Sequence, residues 1–256
     1  MASRRWALAT LAVRDLQWGM IMRWVLLAIL LLALPVRAAD LHAPWDALLG
    51  RYVDGDGRVA YRDLAARDAA TLDGYLQALA TADPQAMSES EQIAFWLNAY
   101  NAHAVRGVLD GQSAEGFIAR KRFFSFYDFP LAGQTRTLDE VENEILRVRF
   151  REPRIHFALV CASTSCPKLR REAYRGERLD AQLDDQARGF LLDRTRNRFG
   201  TSADVSMIFK WFAGDFEAAA GSVPAYLSRW VPGDYKTISY LDYDWTLNAQ
   251  PGQRPE

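Results

Sequence analysis

Hydrophobic positions recur at helical spacing over most of the chain, interrupted by short runs that suit strands and turns. Residues 43–52 predict a short helix, and Asp54-Gly55-Asp56-Gly57 a turn. Over 62–80, Leu64, Leu72, Leu76 and Leu79 mark one helical face, and Asp83-Pro84 ends it. The clearest helix spans 88–109. Ser88 and Glu91 have the spacing of a capping box, and the body 93–105 is apolar nearly all round, which predicts a buried central helix. Residues 117–136 form an aromatic-rich irregular stretch ending in a small hairpin at 131–136. Thr137 and Glu140 repeat the capping signal and open a helix to about residue 150. The continuous apolar run 155–160 predicts a buried strand leading to Cys161. Helices follow over 179–193, 205–218 and 223–230, with a hairpin over 197–206 and an extended segment over 238–245. The sum is an α+β fold: a mostly helical single domain over 40–247 with a small β-sheet and a buried central helix. The Pro-, Gly- and Gln-rich tail 248–256 is expected to fray.

Charge and composition add a compartment. The chain is half hydrophobic and carries 31 basic against 32 acidic side chains, a balance without the footprint of a general nucleic-acid binder. Arg23 precedes an apolar run over 24–34, broken by Pro35, and Val36-Arg37-Ala38 places small residues at a cleavage site. Residues 1–38 therefore resemble a signal peptide, with Met20 or Met22 as an alternative start. A periplasmic or secreted location follows, an uncleaved N-terminal anchor being the alternative. The run falls short of the ~20 apolar residues of a membrane span, so no stable span is expected after cleavage. Cleavage after Ala38 removes five basic residues and one acid, leaving 218 residues with 26 basic and 31 acidic side chains.

Three histidines and two cysteines without clustered spacing predict no dedicated metal site. Asp54-Gly55-Asp56-Gly57 fails as a calcium loop, since Arg58 and Ala65 stand where oxygen ligands belong. No cofactor motif is present, and the oligomeric state is left open.

The candidate chemistry centres on Cys161 and Cys166. In an oxidising compartment the pair suits a structural disulfide. Lys168, Arg170 and Arg171 just downstream suit a thiolate nucleophile. A redox-active pair is the third reading, at a spacing unlike CxxC. His156 is the nearest base, with a packed core residue as the alternative. His103 falls on a largely apolar helix side and reads as structural. Asn98 and Asn101 share a helix face. Buried there, each amide either pins a neighbouring segment or orients a base or oxyanion. Asp215 or Asp244 can orient a base.

Several blocks together resemble the family called domain of unknown function 547. They are Ala94-Phe95-Trp96-Leu97-Asn98-Ala99-Tyr100-Asn101-Ala102, Thr137-Leu138-Asp139-Glu140-Val141-Glu142 with Ile145-Leu146-Arg147, and Arg154-Ile155-His156-Phe157-Ala158-Leu159. Cys161-Ala162-Ser163 with Cys166-Pro167, Ile208-Phe209-Lys210-Trp211-Phe212 with Asp215-Phe216, and Tyr243-Asp244-Trp245-Thr246-Leu247-Asn248 continue the series. They run in family order over most of 45–248. Val160 stands where many members carry Asn, and Thr164-Ser165 replaces a frequent x-Gly. The resemblance implies motifs rather than an activity. Members joined to glutaredoxin-like and DEP-like modules, and plant members with coiled coils, imply reducing compartments for part of the family, which favours thiol chemistry. The resulting expectation is a cysteine-dependent hydrolase or acyl-transferase acting on a small-molecule or peptide amide, ester or thioester. Cys166 is its nucleophile, with Cys161 the second choice, His156 its base, and Asn98 or Asn101 the orienting or oxyanion group. The alternatives are a non-catalytic binding or scaffold module closed by a Cys161–Cys166 disulfide, and a thiol–disulfide redox protein.

Overall fold

Helix α1 (Ala43–Tyr52) starts with a proline in its first turn and buries Trp45, Leu48, Leu49 and Tyr52, the i, i+3, i+4, i+7 stripe of an amphipathic helix. The chain is described here by a computed structural model covering residues 40–255. The expected signal segment therefore lies outside the described residues. Helix α2 (Tyr61–Thr81) kinks at Asp68, whose backbone leaves helical geometry while its carboxylate accepts from the Tyr52 hydroxyl and Arg51. Helix α3 (Glu89–Leu109) begins with the expected capping box. The Ser88 hydroxyl accepts from the Glu91 N–H at 3.4 Å, and the Glu91 carboxylate accepts from the Ser88 N–H at 2.9 Å. Its body is buried on every side, so this apolar helix is the axis of the larger core.

The aromatic stretch is less irregular than its sequence suggests. Residues Phe117–Ser125 form helix α4, with Phe123 fully buried. Strands β1 (Phe129–Leu131) and β2 (Gln134–Arg136) pair antiparallel, Leu131 opposite Gln134, across a turn in which Ala132 and Gly133 both take positive φ. Thr137 and Glu140 form the second capping box, opening a one-turn helix α5 (Leu138–Glu140). From there the chain continues not as α-helix but as a π-helix (Val141–Phe150), a rare geometry that often marks functional sites.

The predicted strand over 155–160 is absent. Residues Pro153–Phe157 form a 3-10 turn begun by Pro153, with the Glu152 carboxylate accepting from the Arg154 N–H. The run is apolar because it is buried on both sides, between two cores. Ile155 and Ala158 pack in the core around α3. Phe157 packs in a second core with Phe190, Phe209, Phe216 and Tyr226.

A further 3-10 turn (Gly176–Arg178) leads into α6 (Leu179–Leu192). The single helix expected over 205–218 is two, α7 (Ile208–Trp211) and α8 (Ala213–Ala220), followed by α9 (Val223–Trp230). Strands β3 (Arg198–Phe199), β4 (Ala203–Val205) and β5 (Ile238–Tyr240) form the sheet, antiparallel between β3 and β4 and parallel between β4 and β5. From Leu41 onward the chain is one compact unit, mostly helical with small sheets, an α+β fold.

The tail expected to fray is docked. Val59 donates to the Asn248 carbonyl and accepts from Gln250 N–H, and the Tyr61 hydroxyl donates to the Asn248 side chain at 2.7 Å. Backbone groups at Val59 and Arg62 would otherwise go unpaired, and the tail satisfies them. Among the described residues no helix is long and apolar enough to cross a membrane.

Gly57 closes the 54–57 turn at φ +74°. A Cβ there would lie 2.7 Å from the Leu169 nitrogen and the Lys168 Cα, just beyond the cysteine loop. Gly57→Ala is expected to cost more than about 1 kcal/mol, read as a lowered denaturation midpoint at unchanged slope. An unchanged midpoint would contradict the close packing.

Candidate active site

A cavity of about 180 Å³ opens where the two cores meet. Tyr100 of α3, Glu142 of the π-helix, His156 of the 3-10 turn, both cysteines and Tyr243 converge on it. Phe124, Trp211, Phe212 and Trp245 give it aromatic walls.

His156 lies in a chain of charge partners. Its Nε2 is 2.8 Å from Asp215 Oδ2, and the Arg147 guanidinium grips the same carboxylate with two hydrogen bonds, at 2.6 and 3.0 Å. The Phe212 ring stacks on the imidazole with centroids 4.0 Å apart. Burial pushes the imidazole pKa down against the pull of Asp215, so the ring is neutral. Burial raises the Asp215 carboxyl, but hydrogen bonds from His156 and Arg147 more than offset it and hold the group well below the usual carboxylate range. An anionic Asp215 accepts the Nε2 proton. That assigns the tautomer and leaves Nδ1 as a free lone pair. Nδ1 has no hydrogen-bond partner among the described residues, and the nearest carboxylate oxygen, Glu142 Oε1, is 3.9 Å away.

Glu142 is the contrasting carboxyl. Its side chain is 17% exposed, and its one neutral donor is the Tyr100 hydroxyl at 3.3 Å. Burial raises its pKa to about 7, with Arg147 only partly opposing. One cavity thus holds an anionic carboxylate and a carboxyl that exchanges a proton near neutrality, an arrangement that separates acid and base roles.

Cys161 and Cys166 are bonded to each other. Cys166 is buried, whereas Cys161 is partly exposed. Three donors lie around the Cys166 sulfur: the Cys161 N–H at 2.9 Å, and the Ser163 and Tyr243 hydroxyls at 3.3 Å each, which also reach the Cys161 sulfur at 3.0 and 3.5 Å. Burial raises the Tyr243 phenol, so it stays protonated and can donate. The loop is held from outside. Arg196 donates to the carbonyls of Cys166 and Thr164, at 2.8 and 2.9 Å. Thr164 and Ser165 N–H donate to the Thr246 and Asp244 carbonyls. Ala162 takes φ +59°, an uncommon conformation for a residue with a side chain.

The two asparagines are positioning groups. Asn101 donates to the Ala158 carbonyl at 3.0 Å and accepts from the Val160 N–H at 2.9 Å, spanning the segment between His156 and Cys161. Asn98 makes the same paired contact with the Tyr174 backbone. Each amide is paired with backbone through one N–H and its carbonyl oxygen. His103 stacks on Phe129 at 3.7 Å, and burial pushes it down to about 3. Asp244 bonds Thr246, and Asp215 is the acid hydrogen-bonded to His156.

Sequence reasoning missed Glu142, Tyr100 and the donor role of Tyr243. The available signal was spacing. Glu142 lies two residues past the capping Glu140 and five before Arg147, inside one block of the resemblance. Among the described residues no cluster of three or more His, Cys, Asp or Glu is placed to hold a metal ion.

Glu142 gives the site a pH signature. Its folded pKa lies above the ordinary 4.5, so its contribution to stability is present below about pH 4.5 and is lost as pH rises through about 7. Glu142→Gln mimics the protonated form. It is expected to match the parent near about pH 4 and to be the more stable chain near about pH 8, by on the order of 3 kcal/mol. Parallel denaturant titrations at the two pH values read the difference, and a pH-independent gap would show an ordinary carboxylate.

Residues 84–191 match the family model described as "Protein of unknown function, DUF547", a span holding α3, the π-helix, the 3-10 turn and the cysteine loop. No curated protein and no solved structure matches the chain. Over that segment the chain is similar to the DUF547 family of unknown function.

Proposed function

We propose that the cavity carries out thiol–disulfide exchange at the Cys161–Cys166 bond, on small-molecule or peptide thiols. The observation that carries this reading is the trio of donors around the Cys166 sulfur at the cavity wall. An incoming thiol gives its proton to His156 Nδ1, and its sulfur attacks the more exposed Cys161 sulfur. The sulfur–sulfur bond breaks, its electron pair goes to Cys166, and the three donors stabilise the departing thiolate. The product is a mixed disulfide on Cys161. A second thiol attacks the substrate sulfur of that bond and releases Cys161. Two thiols have then become one disulfide, and the protein's disulfide has become two thiols. An expected periplasmic or secreted location fits a protein that holds its pair oxidised.

The His156–Asp215–Arg147 chain favours a second reading. Once the pair is reduced, an oriented neutral imidazole lining the same cavity as a thiol is also the machinery of a cysteine hydrolase or acyl-transferase.

Trapping separates these readings. Incubated with oxidised glutathione, the Cys166→Ser chain is expected to accumulate a glutathione adduct on Cys161, at least about tenfold above the adduct on Cys166 in Cys161→Ser. The opposite preference contradicts the assigned roles. A native disulfide that resists excess reduced glutathione until the chain unfolds makes the pair a structural staple. Thioester hydrolysis that appears only after reduction and vanishes in His156→Ala supports acyl transfer instead.

A further inference from the structure

The inner face of helix α4 belongs to the cavity. Phe123 is fully buried, Phe124 lines the cavity wall, and the Arg120 guanidinium lies 4.1 Å from the ring centre of Trp245, another wall residue. Its outer face has no such explanation. Phe117 is 75% exposed, Ile118 83%, and Phe126, just past the helix end, 68%. At 100° per residue, positions 117, 118, 121 and 122 fall on one side. The two apolar side chains therefore share a face with Lys121 and Arg122, both exposed. Large apolar side chains exposed together on one short element mark an interaction site more often than singly scattered ones.

Charge selects the partner. Arg120, Lys121 and Arg122 are consecutive cations, and the Lys121 ammonium stays 5.8 Å from the Phe126 ring. Nearby acids do not cancel them: Glu115 is paired with Arg254, which leaves the exposed Asp128. Large apolar side chains interleaved with cations suit a lipid surface, where rings and aliphatic chains enter the acyl boundary and the cations meet anionic headgroups. A second copy of the chain fits poorly, because a two-fold contact would set these cations against their own equivalents.

We infer that the outer face of α4, through Phe117, Ile118, Lys121, Arg122 and Phe126, docks on an anionic membrane surface. The same helix forms a wall of the cavity, so docking brings the site to the lipid interface and gives it substrates held there. This inference stands independently of the exchange chemistry.

Sedimentation with vesicles tests it, using pure phosphatidylcholine and phosphatidylcholine mixed with phosphatidylglycerol. The parent chain is expected to bind the anionic vesicles at least about tenfold more tightly than the neutral ones, and less tightly as salt rises. Phe117→Ser with Ile118→Ser, and separately Lys121→Gln with Arg122→Gln, are each expected to lower that binding by about tenfold. These positions are exposed, and unchanged thermal melts verify the fold of each variant. Equal binding by parent and variants overturns the inference, whatever else in the chain meets the lipid. So does a concentration-dependent dimer in analytical ultracentrifugation that the double variants abolish, since it assigns the face to a second copy.

Discussion

A buried side-chain amide must be paired, because leaving one unsatisfied costs about 1–3 kcal/mol. Helix α3 carries two such amides, and both are paired with backbone of segments that pass over it. Asn101 bonds the chain on either side of Leu159, midway between His156 and Cys161. The segment between His156 and the disulfide has no sheet to hold it, and the amide replaces the missing ladder. A 3-10 turn can therefore pass directly into a loop with a left-handed Ala162 while both ends of that segment face one cavity. Arg196 fixes the far side of the loop through two carbonyls.

Within this frame, two carboxyls a short distance apart behave differently because their partners differ. Asp215 has a two-pronged guanidinium and an imidazole N–H, enough to hold it anionic despite partial burial. Glu142 has one phenol and a more distant share of the same guanidinium, and burial prevails. The histidine between them stays neutral, with one nitrogen committed and the other buried without a partner. Both carboxyl environments depend on Arg147, on the same π-helix as Glu142. A plain α-helix would present these residues at a different angular spacing.

Local rules made much of this legible. Capping boxes at Ser88 and Thr137, the all-round apolar body of α3 and the hairpins at 131–136 and 197–206 follow from short-range chemistry. The cysteine loop and His156 stood out because reactive residue types are few in this chain. The errors came where long-range contacts decide. The run 155–160 is apolar on both faces, a pattern shared by a buried strand and by a turn wedged between two cores. The tail is polar and rich in Pro and Gly, yet the backbone needs of Val59 and Arg62 recruit it. Glu142, Tyr100 and Tyr243 come from three separate elements, and no sequence spacing joins them. The burial of Cys166 is likewise a tertiary fact, which makes Cys161 the more exposed cysteine rather than the one nearer the basic residues.

The environment of Cys166 poses one contest of magnitudes. Burial disfavours a thiolate, whereas three hydrogen-bond donors favour it, and the proposed chemistry requires the donors to win. The direct measurement is the thiolate absorbance of the reduced Cys161→Ser chain as a function of pH, which titrates Cys166 alone. The account predicts a thiol pKa at least ~1 unit below the ordinary value of about 8.5, and a rise toward that value when Tyr243→Phe removes one donor. A pKa at or above about 8.5, unmoved by the Tyr243 change, would contradict it.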